Sequence, residues 1–136
     1  MQINRTEARY KAMTILYQIN LYEKNKINYV TNDVIKEQLE IQNDFVNELV
    51  YGVINNKKEL DDIANKYLES WSLDRLGLTD QAIIEIAIYE IIHTETPNLV
   101  CINEAIELSK KYSDEKVSKM INGVLDKVYH DYDDEQ

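Results

Sequence analysis

Only three glycines and one proline punctuate these 136 residues. A strand-rich fold needs turn signals about every 8–12 positions, so an all-β architecture is excluded. Gly52, Gly77 and Gly123 stand singly, which argues against the glycine-rich loops that cradle phosphates. What remains is a chain of long unbroken segments carrying helical spacing.

Those segments can be read in order. Asn4 is placed to cap a helix over residues 4–22, with Glu7 three positions on as its capping-box partner. Ala8, Ala12, Ile15, Leu16 and Ile19 recur at helical spacing and form its apolar face. A polar connection leads from Asn25 to a short helix near 33–39, capped by Thr31 or Asn32. Phe45, Leu49 and Val53 predict a helix ending near Asn55 and Asn56, and Leu60, Ile63, Ala64, Tyr67 and Leu68 predict another over about 57–70. Residues 71–78 read as a connection. Thr79 or Asp80 then caps the segment 82–92, which is apolar nearly all round and so is expected at the centre of the molecule. Pro97 breaks the chain before a helix running from Asn98 to about Tyr112. Ser113 or Asp114 caps the last helix, whose apolar face is Val117, Met120, Ile121, Val124 and Val128. The expectation is an all-α protein of about seven helices, a single domain over residues 1–130, followed by an acidic, unstructured tail at 131–136.

Apolar residues make up 44% of the chain, enough for a sizeable core. No run approaches the roughly 20 apolar residues that span a bilayer, and the N-terminus lacks a signal-peptide block, so a cytoplasmic protein with no membrane role is expected. The lone Cys101 excludes an internal disulfide framework and reads as a small core residue. Fifteen Lys and Arg against 25 Asp and Glu give a net charge of −10, whereas a protein that binds nucleic acid by bulk charge is basic. The charge is uneven, however. Arg5, Arg9, Lys11, Lys24 and Lys26 against Glu7 and Glu23 leave residues 1–26 at +3. A second positive region holds Lys110, Lys111, Lys116 and Lys119. Any nucleic-acid role must be local, or shared with a basic partner.

No catalytic or metal site is expected, and no cofactor is implied. His93 and His130 lack ligand-spaced partners, and no nucleophile–base set has a local signature. Glu85 and Glu90 fall on the central helix and read as surface or salt-bridge residues. The recognition candidates lie elsewhere. Arg5 and Arg9 are one helical turn apart near a helix N-terminus, an arrangement suited to phosphate, although pairing with nearby carboxylates such as Glu7 is the plainer alternative. Tyr10 and Tyr17 fall opposite the apolar stripe, where exposed rings can stack on unpaired bases. Lys116, Met120, Gly123 and Lys127 form one stripe on the last helix. Gly123, inside that helix, suggests close approach of another helix or a ligand, and Asn122 reads as semi-buried.

Taken together, these segments resemble the transcription antitermination factor NusB family. The matching stretches include Ala8-Arg9 with Ala12 and Leu16-Tyr17-Gln18, Leu49-Val50-Tyr51-Gly52-Val53, Glu59-Leu60-Asp61, and Ala87-Ile88-Tyr89-Glu90. The most specific are Pro97 to Val100, Ile102 to Leu108, and Asn122-Gly123-Val124-Leu125-Asp126. The resemblance implies two small helical bundles packed across each other. It implies binding of boxA-type single-stranded RNA from ribosomal RNA operon transcripts, pairing with the ribosomal protein NusE, and a place in the antitermination complex of RNA polymerase. By position it places RNA contacts on Arg5, Arg9 and Tyr17, and on Met120 with Lys116 and Lys119 nearby. It places the NusE contact near Asp80, where an acidic residue suits a basic partner.

Two departures from the family pattern stand out. Glu7 sets negative charge among the N-terminal cations, and Met120 replaces an aromatic. They favour a second reading, a protein-interaction adaptor whose RNA contact comes mainly from its partner. A homodimer hiding the RNA face behind apolar surface is a further arrangement. A helical domain of this kind also occurs fused to an RNA methyltransferase, but no catalytic domain is expected in this chain.

Overall fold

A computed structural model describes residues 2–133, and among these all regular structure is helical. Seven α-helices follow in chain order: α1 (Arg5–Lys24), α2 (Thr31–Gln38), α3 (Asp44–Asn55), α4 (Lys57–Tyr67), α5 (Leu78–His93), α6 (Asn98–Tyr112) and α7 (Glu115–Asp133). A 3-10 turn at Leu73–Arg75 lies between α4 and α5. Helices α1 to α3 form one small bundle and α4 to α7 the other. Helix α5 is shared by both, packing against α1, α3, α4, α6 and α7. No described helix is long and apolar enough to cross a membrane.

Three caps form as side-chain acceptors, two of them, Asn4 and Asp114, as expected. Asn4 accepts from the Glu7 amide at 2.8 Å, Asn43 from Val46 at 2.9 Å, and Asp114 from Val117 at 2.8 Å. Each satisfies an amide that the first helical turn leaves unpaired. Three starts differ from expectation. Helix α2 begins at Thr31 behind Val30, so Thr31 and Asn32 lie inside its first turn and neither caps it. Helix α5 begins at Leu78 behind Gly77, so Thr79 and Asp80 lie inside its first turn, where a carboxylate suits the helix dipole. Helix α6 is entered through Pro97, whose carbonyl accepts from Cys101 at 3.1 Å, which makes Asn98 its first residue. Helix α1 closes with paired bonds, Ile27 to the Tyr22 carbonyl and Lys26 to Glu23, and Lys26 takes φ of 56° to make them. This is a Schellman ending with lysine where glycine is usual. Helix α7 runs three residues into the acidic segment expected to be a tail. The remainder of that segment, 134–136, lies outside the described residues.

The core confirms α5 as the central helix, with every residue from Ala82 to Ile91 buried. Burial of each Ile there contributes about 1.5–3 kcal/mol. Gly52 of α3 lets Tyr89 of α5 come close, since a Cβ at that position would overlap the tyrosine ring. Ser109 and Ser118 share a buried hydroxyl contact at 2.8 Å between α6 and α7. Glu85 and Glu90 are not surface residues; both are fully buried and paired. Lys57 reaches Glu85 at 2.6 Å, and the facing Glu85 and Asp61 carboxyls each keep one buried oxygen without another partner among the described residues. Burial, helped by Asp61 and opposed by Lys57, pushes the Glu85 carboxyl up to about 8.

Candidate functional site

The expected contacts fall in separate places. At the start of α1, Arg5 is exposed and its guanidinium lies 4.3 Å from the centre of the Phe45 ring. Arg9, one turn on, is 3% exposed. Its Nε and Nη2 donate to the two carboxylate oxygens of Glu90 at 2.7 and 2.9 Å, and Nη1 lies 3.5 Å from Glu104. The carboxylate competing for Arg9 is therefore Glu90, 81 positions away, and not Glu7. This planar fork occupies the donors that a phosphate would need. Cys101 packs beside it, its sulfur 3.8 Å from Glu90. Burial, with the Glu90 charge, raises the Cys101 thiol to about 12, so at neutral pH it stays a protonated core thiol.

Tyr17 is exposed on α1, outside both the groove that Arg5, Arg9, Phe45 and Glu104 line and the cleft described next. Tyr10 is not a free ring; it is half-buried and stacks on Tyr112 with ring centres 5.1 Å apart. His93 lies at the end of α5 against Glu59 at 2.5 Å.

The other candidates converge on a cleft of about 550 Å³ between the 68–77 segment and α7. Lys116, Met120, Gly123 and Lys127 form the α7 wall, Trp71 and Arg75 stand on the segment side, and Asp80 lies at the start of α5. The lysine–methionine stripe thus shares one concavity with the acidic residue expected to meet a protein partner. Lys119 is exposed on the same helix, pairs with Glu115 at 3.5 Å, and stays outside the cleft lining. Arg75 and Lys116 are exposed and make no ion pair among the described residues. Lys127 reaches across to Glu69 at 2.8 Å, at a surface position. Asp80 is half-buried, and one carboxylate oxygen has no hydrogen-bond partner among the described residues. Burial raises its carboxyl above the usual range, against a lowering bond with Ser113, and Asp114 adds to the rise. A docked cation or donor would relieve that desolvated oxygen.

Two positions on α7 depart from expectation. Nothing lies within 4 Å of a Cβ built on Gly123, so no helix packs closely there. Asn122 is exposed instead of semi-buried. Trp71 and Arg75 did not emerge as site residues from the sequence. The available signal is Trp71 itself, a large ring between Ser70 and Ser72 in a segment without helical periodicity.

Fold and cleft together define the class, an all-helical, two-bundle protein whose α7 face forms an open cleft edged by cations. A model of the NusB family matches residues 6–130, and the chain belongs to that family. Transcription antitermination protein NusB of Listeria innocua is 43% identical over 124 residues, covering 90% of this chain and 94% of the relative. The protein of that name from Staphylococcus haemolyticus is 39% identical over 127 residues, covering 93% and 99%. T. maritima NusB superposes with a TM-score of 0.81 at 29% identity, covering 96% of this chain and 93% of that one. The same score and identity hold for a chain in the crystal structure of antitermination factors NusB and NusE in complex with double-stranded RNA, with 94% and 97% covered.

Proposed function

We propose that this protein is a non-enzymatic antitermination factor that binds boxA-type single-stranded RNA of ribosomal RNA operon transcripts together with NusE. It would act in the cytoplasm, within the antitermination complex of RNA polymerase. The observation that carries this reading is the cleft, which places Lys116 and Met120 beside Asp80 on a chain of net charge −10. The solved complex of NusB and NusE with RNA lends support through a relative of the same fold. Lys116 and Lys119 hold phosphates, and Met120 packs on a base or sugar. Asp80 offers its desolvated oxygen to the basic partner, which then adds positive surface beside the RNA. Arg5 and Tyr17 extend the contact along α1. Arg9 supports this surface from beneath through Glu90 and does not itself reach RNA.

The engagement of Arg9 by Glu90 favours one competing reading, the adaptor whose RNA contact is supplied mainly by NusE. Fluorescence anisotropy with a boxA-type RNA and a scrambled control, at two salt concentrations, with and without NusE, separates the two. Selective binding by the chain alone supports direct reading, with a logarithmic salt slope of about −0.7 per phosphate contacted. Selectivity that appears only with NusE and survives loss of Arg5, Lys116 and Lys119 supports the adaptor. Equal or absent binding to both RNAs with NusE present refutes the antitermination reading. Sedimentation of the free chain reports any homodimer that masks the cleft.

A further inference from the structure

Trp71 is the only tryptophan of the chain, and it is 51% exposed. A ring of that size usually contributes to a core, and one left half in solvent marks a surface that meets something. Its setting is specific. It lines the cleft together with Met120 and Gly123 of α7, and Arg75, Lys116 and Lys127 bring three cations to the same concavity. A glycine inside a helix weakens the helix. At Gly123 no neighbour requires it, since a Cβ there would meet nothing within 4 Å. The missing side chain leaves room in the cleft and serves no packing inside the protein. The Lys127–Glu69 pair is exposed, so a phosphate can replace the glutamate at small cost.

We propose that Trp71 is the base-stacking platform of this cleft. An unpaired RNA base lies on its ring in the space left open at Gly123, and the adjoining phosphates are held by Arg75, Lys116 and Lys127. An aromatic face among cations is what a single-stranded nucleotide requires, because every base has a π-face and every linkage an anion. The inference rests on the RNA-binding reading above and adds the residue that receives the base.

The lone tryptophan supplies its own test. Tryptophan emission, excited at its red edge so that tyrosines stay silent, is followed while the chain with NusE is titrated with boxA-type RNA. RNA should quench Trp71 and shield it from acrylamide. Trp71→Ala should weaken RNA binding about 5- to 100-fold, Trp71→Phe should restore most of it, and Gly123→Leu should weaken it by filling the space. Circular dichroism establishes that each variant is folded, and should Trp71→Ala fail to fold, Gly123→Leu and the wild-type quench carry the test. RNA binding that leaves the emission unchanged and tolerates Gly123→Leu overturns the proposal while the RNA reading stands. Quenching by NusE alone, with no further change on adding RNA, also overturns it and makes the cleft a protein-binding face. No RNA binding by the wild type with NusE present defeats the RNA reading first, and this inference with it.

Discussion

Arg9 and Glu90 provide the sharpest test of the distinction between a contact and its support. The guanidinium meets both carboxylate oxygens, with side chains 4% and 1% exposed. Removing one member leaves the other charged, buried and unpaired, which costs about 3–5 kcal/mol. For a domain of this size that is a large share of a total stability of about 5–15 kcal/mol, and it should lower Tm by on the order of 10–20 °C. Arg9→Met should therefore destabilise strongly. Arg9→Met with Glu90→Leu should recover most of the loss, because paired apolar replacements of similar volume are often neutral or stabilising. Urea denaturation followed by circular dichroism closes the double-mutant cycle. RNA anisotropy at a temperature where all variants are folded gives the second axis. The double variant should keep most of its RNA affinity, whereas Arg5→Ala should lose affinity and change stability by no more than about 1 kcal/mol. The reasoning is refuted if Arg9→Met costs under about 1 kcal/mol, or if the two substitutions simply add. A stable double variant that no longer binds RNA would restore Arg9 to the interface.

Three further outcomes follow from local geometry. Lys26→Gly relieves the positive φ that closes α1 and should stabilise by about 0.5–1 kcal/mol, the gain being trimmed by the freer unfolded chain; thermal melts that show a loss would mean the lysine makes a compensating contact. Gly52→Ala forces a methyl into the Tyr89 ring and should cost about 1–3 kcal/mol, so a neutral result in urea would show that the ring swings aside freely. Glu85, pushed up to about 8 from 4.5 mainly by burial, binds a proton in the folded chain that the unfolded chain has lost. Its contribution is complete below 4.5 and fades as pH rises through about 8, by up to about 1.4 kcal/mol per pH unit. Asp61→Asn should flatten that decline in pH-dependent denaturation, and an unchanged slope would assign it to other groups.

What the sequence discloses and what it hides divide by range of interaction. Asn4 and Asp114 are legible caps because each bonds an amide three residues on. The all-round apolar run of α5 announces its central place, since a helix with no polar face has nowhere else to sit. The pairings that fix the buried charges join distant positions. Arg9 meets Glu90 across 81 residues and Lys57 meets Glu85 across 28, and no local pattern distinguishes either from an exposed charge. Burial and the Glu90 carboxylate hold this arginine as an internal strut, which its spacing from Arg5 does not disclose. Tyr10 passes from a free ring to a stacked one by the same route, through Tyr112. Gly123 runs the other way, for its position inside a helix suggests contact and the structure shows open space.

That space lies in the cleft where an acidic chain gathers Arg75, Lys116 and Lys127 around an exposed tryptophan. A chain of net charge −10 gains from such economy. Under the proposed function its bulk charge would repel polyanions over most of the remaining surface, the cationic start of α1 excepted, so an RNA held at the cleft would have few competing modes. Asp80 at the edge fits the same logic. Under the proposed function it would weaken RNA binding by the chain alone and reward a basic partner, so that affinity would rise where that partner is already docked.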